Sequence, residues 1–332
     1  VEQGYVPDSI IRKGIRRLLN NRLNEIAAND IEQTSVLKHQ FIENMSHSPI
    51  ALSPEKANQQ HYEVPAKFYE LVLGEYKKYS CSYWDDTTTL LNDAEMIALS
   101  KTCEHANLAN GQNILELGCG WGSLTLWMAI HYPESQITAV SNSVSQKVYL
   151  DQVSKLHGIK NIQVITSDMN EFSTTQRFDR VVSVEMFEHM RNWQQLFSQI
   201  SRWLNKDGQF LMHVFIHRTT PYAFECENNT SVKSDWMSEY FFTGGMMPSA
   251  DLALYFQEQL KLTNSWAWDG NHYAKTCRAW LKNMDQQKAE ILPLLKASYG
   301  EKMQQIWWMR WRIFFMACEE LFASDNGQQW HV

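Results

Sequence analysis

Five apolar, strand-like runs lie between Gly111 and Phe215: NILELG, QITAVS, IQVITSD, RVVSVE and QFLMHVF. They alternate with helical stretches such as SLTLWMAIHY, SVSQKVYLDQVSKLHG and WQQLFSQISRWL. A strand followed by a helix and then another strand must cross over, and right-handed crossovers set the strands side by side in one direction. The alternation therefore predicts an α/β fold, a doubly wound, mostly parallel, Rossmann-like sheet with helices on both faces. At 332 residues the chain exceeds such a core, so helical additions are expected around it.

The first run ends in Glu116-Leu117-Gly118-Cys119-Gly120-Trp121-Gly122, in a chain with only 14 glycines. Glycines at alternate positions permit turns that side chains block, and let backbone approach a ligand beside a helix N-terminus. In open α/β sheets that is where ligands bind. A dinucleotide site would show G-x-G-x-x-G with an acidic residue about 20 positions on; here the third glycine comes one residue early.

Composition narrows the partners. Thirty basic against 37 acidic residues leave a net charge of -7, which disfavours a nucleic-acid partner. Aromatic residues make up 12% of the chain, suited to enclosing apolar or cationic groups. Six cysteines fall singly, without metal-ligand spacing, so reduced thiols in a cytoplasmic protein and no metal site are expected. No run reaches the roughly 18 apolar residues of a membrane span, and VEQGYVPDSI lacks the order of a secretory leader. Residues 10–26 form a basic amphipathic helix, expected to pack on the body rather than lie on a membrane. QQIWWMRWRIFFMACEELF reads as a buried helix, and CENNTSVKS (Cys226 to Ser234) as a polar loop. Aromatic helix faces also suit a homodimer.

The glycine loop resembles motif I of class I S-adenosylmethionine-dependent methyltransferases. That resemblance implies S-adenosyl-L-methionine as cofactor and S-adenosyl-L-homocysteine as product, held by Glu116, Gly118, Gly120 and Gly122. Ser141, Asn142 and Gln146 follow the second run, where the general pattern has an acid, and Asp168 and Met169 follow the third. Upstream, HYEVPAKFYELVLGEYKKYSCSYW (His61 to Trp84) resembles the entrance segment of the cyclopropane fatty acid synthase family, which implies cofactor contacts from Tyr79 and Ser80. VEMFEHM (Val184 to Met190) and YFFTGGMMPS (Tyr240 to Ser249) extend the likeness over residues 60–330.

Within that superfamily EMFEHM and FFTGGMMPSADL look most like the benzylisoquinoline N-methyltransferases, whereas the lipid synthases usually carry glycine at position 185. The resemblance implies a small-molecule amine as substrate, met by Glu185, Glu188 and His189, with Glu188 and His189 as the base pair. If a helix begins at Glu185, all three share one face, and two carboxylates in a dry pocket raise one pKa. Tyr79, Tyr83, Phe242, Trp268, Tyr273 and Trp308 would offer ring faces to a cation. Against this, Cys81, Glu188, His213 and Tyr273 match the bicarbonate set of the lipid synthases, and a cyclopropane synthase with membrane contact is the alternative. The implied division is an N-terminal helical extension (1–60), a covering segment (61–100), the cofactor-binding core (101–217) and an aromatic-rich lid (218–332).

Overall fold

The computed structural model describes residues 1–52, 64–224 and 236–332. The polar loop expected at Cys226 to Ser234 and the first three residues of the His61 to Trp84 segment lie outside them. Strands β1 (Asn113–Leu117), β2 (Gln136–Ser141), β3 (Ile162–Thr166), β4 (Phe178–Val184) and β5 (Leu204–His213) correspond to the five apolar runs. They form one sheet in the order β3-β2-β1-β4-β5, with every adjacent pair parallel. The chain winds outward one way from β1 through β2 and β3, then returns to β1's other edge with β4. The carboxyl ends of β1 and β4 therefore frame the switch point at which such sheets bind ligands.

The described helices are α1 (Asp8–Glu25), α2 (Ile31–Ser46), α3 (Ala66–Val72), α4 (Leu91–His105), α5 (Ser123–His131), α6 (Val144–His157), α7 (Trp193–Trp203), a short turn at Trp236–Tyr240, α8 (Gly270–Gln286), α9 (Lys288–Tyr299) and α10 (Gln304–Phe322). β1, β4 and α7 share a core with Met45 at the end of α2 and with Ile50 and Ala51. A second core joins α1, α3, α8, α9 and α10 around Phe68, Trp280, Trp311 and Phe315. The N-terminal extension is thus divided between the two cores rather than forming a unit of its own.

Helix α1 buries Ile11 and Ile15, and its basic residues meet acids on α10. Arg12 donates to Glu319 and Glu320 at 2.7 and 2.9 Å, and Arg16 donates to Glu320 at 2.8 Å. Arg312 of α10 returns two bonds to Asp8, at 2.9 and 2.7 Å. This is packing on the body, as its pattern predicts. Cys81, Cys103, Cys119, Cys277 and Cys318 are free thiols. Among the described residues no helix is long and apolar enough to cross a membrane.

Candidate active site

The loop after β1 turns at Gly118 (φ 81°) and Gly122 (φ 83°), both in the left-handed region. A Cβ at Gly118 would stand 2.8 Å from Met186, and one at Gly122 would stand 2.0 Å from Leu150, so neither position admits a side chain. Gly120 faces open space instead. The loop runs into the N-terminus of α5 and edges a groove. Gly118, Gly120, Ser141, Asn142, Gln146, Asp168 and Met169 line that groove together with Glu185, Met186 and His189.

Several of these side chains already have work within the loop ends. Ser141 donates to the amide oxygen of Gln146 at 2.6 Å, which leaves the buried Gln146 amide nitrogen without a partner. Asp168 accepts from the Asn170 N–H at 2.7 Å. A cradle of glycine backbone with an orphaned buried amide donor suits a ligand rich in acceptors, as S-adenosylmethionine is.

Four of the residues expected to hold the cofactor do not line this groove. Gly122 is covered by Leu150. Glu116 sits behind the loop, 3% exposed, where it accepts from the Thr125 hydroxyl at 2.5 Å and burial pushes its carboxyl up to about 8. Ser80 accepts from Lys78 and lines neither the groove nor the cavity described below, whereas Tyr79 lines the cavity.

Beyond β4 the expectation of a helix from Glu185 fails. Glu185 has φ 49°, the left-handed region that an L side chain rarely adopts, and only the 3₁₀ turn Phe187–His189 follows. The pairing of Val184 with His213 sets this twist, because the Glu185 N–H continues the ladder to the His213 carbonyl at 2.8 Å. Glu185, Glu188 and His189 therefore do not share a helical face.

The Glu185 carboxylate accepts from the Cys81 N–H at 2.8 Å and from the Tyr273 hydroxyl at 2.6 Å, with His213 Nε2 at 3.4 Å. Burial works to raise its pKa, but His213, Lys78 and Tyr273 outweigh it and hold the carboxyl below the usual range. Glu188 is fully buried, accepts from the Phe215 N–H at 2.7 Å and lines neither compartment. Burial and then the nearby charge of Glu185 push it well above the carboxylate range, which favours its neutral form. His189 lies parallel to the Phe242 ring at 5.5 Å, and burial lowers its pKa to about 4.

This geometry does not support the bicarbonate expectation. Three of the four residues implied, Cys81, His213 and Tyr273, converge on Glu185 itself: its carboxylate takes the Cys81 N–H and the Tyr273 hydroxyl, two donors that an anion would need, with His213 Nε2 3.4 Å away. The aromatic wall differs in membership from the one expected: three of the six rings line it, joined by others such as Phe215, Phe224, Trp280 and Phe314. Tyr79, Phe242 and Tyr273 line a cavity of about 1600 Å³. Tyr83 stacks on His272 at 4.2 Å, Trp268 packs edge-on to His213 at 5.0 Å, and Trp308 carries Lys288 over its ring. None of these three lines the cavity.

Sequence reasoning missed its other wall: Ile10, Ile11, Ile15 and Leu18 of α1 face Phe314 and Leu321 of α10. The apolar stripe of α1 was legible, but a stripe that packs and a stripe that encloses read alike. Glu185 and His189 line both groove and cavity, and so mark their junction.

The family model for mycolic acid cyclopropane synthetase matches residues 52–332. (S)-Coclaurine N-methyltransferase of Thalictrum flavum subsp. glaucum is 34% identical over 99% of this chain and 91% of its own. That of Papaver somniferum is 33% identical over 99% of this chain and 94% of its own. A crystal structure of coclaurine N-methyltransferase bound to N-methylheliamine and SAH superposes with a TM-score of 0.94 at 34% identity, covering 99% of this chain and 95% of that one. The chain therefore belongs to the mycolic acid cyclopropane synthetase family and is an S-adenosylmethionine-dependent N-methyltransferase.

Proposed function

We propose that this enzyme methylates the ring nitrogen of a small aromatic amine of the benzylisoquinoline or tetrahydroisoquinoline class. The observation that carries the reading is the position of Glu185 and His189 on the shared border of groove and cavity. S-adenosylmethionine, when bound, supplies an electrophilic methyl carbon. Glycine backbone, the Gln146 amide and Asp168 would hold it in the groove. The acceptor nitrogen must then arrive with a free lone pair, whereas a secondary amine in water is mostly ammonium.

Glu185 attracts that ammonium, and the rings of Tyr79, Phe242 and Tyr273 add their faces. Its oxygens already accept two hydrogen bonds, which makes it an anchor more than a base. We assign His189 as the group that accepts the amine proton, with the Glu185 charge stabilising the imidazolium against the burial that lowers its pKa to about 4. Glu188 supports the turn from behind as a neutral acid. The apolar wall of α1 and α10 keeps water from the junction, and most of the acceleration comes from holding the reactants in line. The amine product seated in the coclaurine N-methyltransferase crystal structure supports the substrate class.

The test is incubation with methyl-labelled S-adenosylmethionine and a panel of tetrahydroisoquinolines, with label expected on nitrogen. Absence of transfer to every amine, with cyclopropanated lipids in cells expressing the protein, would replace this reading by the lipid-modifying one.

A further inference from the structure

Lys78 is 2% exposed, and the reaction described above gives it no role. Its ammonium donates to the Ser80 hydroxyl and to the Cys81 carbonyl, each at 2.6 Å. A buried ammonium costs several kcal/mol unless it is both hydrogen-bonded and charge-compensated. The titratable groups that act on it are Glu185, the Cys81 thiol and Glu95. Burial pulls the lysine pKa down, and Glu185 is the largest influence opposing that.

Glu95 anchors the other end of the same segment. Its fully buried carboxyl accepts from the N–H groups of Gly74 at 2.9 Å and Tyr76 at 2.8 Å. A Cβ at residue 74 would stand 2.5 Å from the Glu95 carboxylate, so only glycine lets the loop close over it. Residues 74–81 are thus tied to Glu95 at one end and, through the Cys81 N–H, to Glu185 at the other. Lys78 lies within this segment, and both of its bonds go to the turn that presents Cys81 to Glu185.

We infer that Lys78 is the fixed counter-ion of the reaction site, a positioning residue that keeps Glu185 charged and holds the Tyr79 to Cys81 turn against it. Glu185 is faced as well by His213, Tyr273, Glu188 and His189, of which the two histidines are neutral at pH 7 and Glu188 is protonated. Lys78 is the one of these neighbours whose side chain is ordinarily a cation, and its two hydrogen bonds hold it on the turn whose Cys81 N–H meets Glu185. The inference rests on the proposed reaction only where turnover is the readout.

The experiment compares Lys78→Gln, which can still donate hydrogen bonds but carries no charge, with Lys78→Arg. Glu185 is titrated by NMR in enzyme labelled with ¹³C at the glutamate carboxyl carbons, its signal assigned with Glu185→Gln. Lys78→Gln is expected to move the Glu185 midpoint up by at least about one pH unit. It should also lower kcat/KM for a cationic amine about tenfold at pH 7, with the acid limb of the pH profile moving in parallel. Lys78→Arg should restore both, and SAH affinity measured by calorimetry should stay within about threefold throughout.

An unchanged Glu185 midpoint in folded Lys78→Gln overturns the inference, whatever turnover does. If Lys78→Gln fails to fold, the same titration of Lys78→Met decides in the same way. If Lys78→Met also fails to fold, a Glu185 midpoint in the wild-type enzyme at or above the ordinary glutamate value overturns it instead. Failure of the wild-type enzyme to methylate any amine would end the functional reading and leave the titration standing.

Discussion

The groove and the cavity are built in opposite ways. The groove takes most of its lining from the loops after β1, β2, β3 and β4, successive turns of one strand-helix alternation, with Ala51, Thr243 and Gly244 added from outside it. The cavity brings α1 against α10, so that Arg12 reaches Glu319 across 307 residues. The difference teaches that the two halves fail differently. A groove made of backbone turns is broken by adding atoms, whereas a wall made of distant helices is loosened by removing contacts.

The largest effect expected from breaking the comparison is at Gly122. Gly122→Val places a branched side chain on a φ of 83°, against Leu150. Loss of SAH binding by calorimetry, or loss of the folded sheet by circular dichroism, is expected at a cost above about 4 kcal/mol. A folded variant with wild-type SAH affinity would show that the turn behind the groove tolerates side chains after all.

At the junction, His189→Ala is expected to lower kcat by about 10² to 10⁴ with little change in SAH affinity. Glu188→Gln, which preserves a neutral side chain, should stay within about threefold of wild type. Equal losses in the two variants, measured by steady-state kinetics, would return Glu188 to the reacting pair.

Acid should weaken the fold in a defined window. His189 and His217 are held neutral by burial, with pKa lowered from 6.5 to about 4. Between those values the unfolded chain binds more protons than the folded one. Their contribution is therefore complete above pH 6.5 and is lost as pH falls towards 4, by at most about 3 kcal/mol for the buried His217 and by less for His189, which lines the groove and the cavity. Thermal melts across that window would measure it.

The smallest effect falls on the wall. Arg12→Gln removes the pairs with Glu319 and Glu320 and is expected to cost about 1 kcal/mol. It should raise KM for the amine a few-fold and leave SAH affinity unchanged. A matching loss of SAH affinity would mean that the two halves are mechanically coupled.

The same contrast explains what the sequence made legible. The strands, the glycine turn and the buried helix Gln304–Phe322 are periodic or local patterns, and each is found where its pattern puts it. The environment of Glu185 is neither. Its partners Cys81 and Tyr273 lie 104 and 88 residues away, and its left-handed backbone defeats the i, i+3, i+4 logic that grouped it with Glu188 and His189. Trp268 and Trp308 were aromatic in the right region, but composition does not say which way a ring faces. The gap at Lys78 is of the same kind, because one lysine of a KKYSC segment looks like any solvated lysine until tertiary contacts bury it.

The twist at Glu185 has an evolutionary consequence. The carboxylate on which the site depends stands where the main chain would rather carry glycine, so drift at that codon meets no conformational resistance. A mutant lineage that loses the acid there would leave the Cys81 N–H and the Tyr273 hydroxyl without their acceptor, and its fate would rest on whether the surrounding medium offers a small anion to fill the gap.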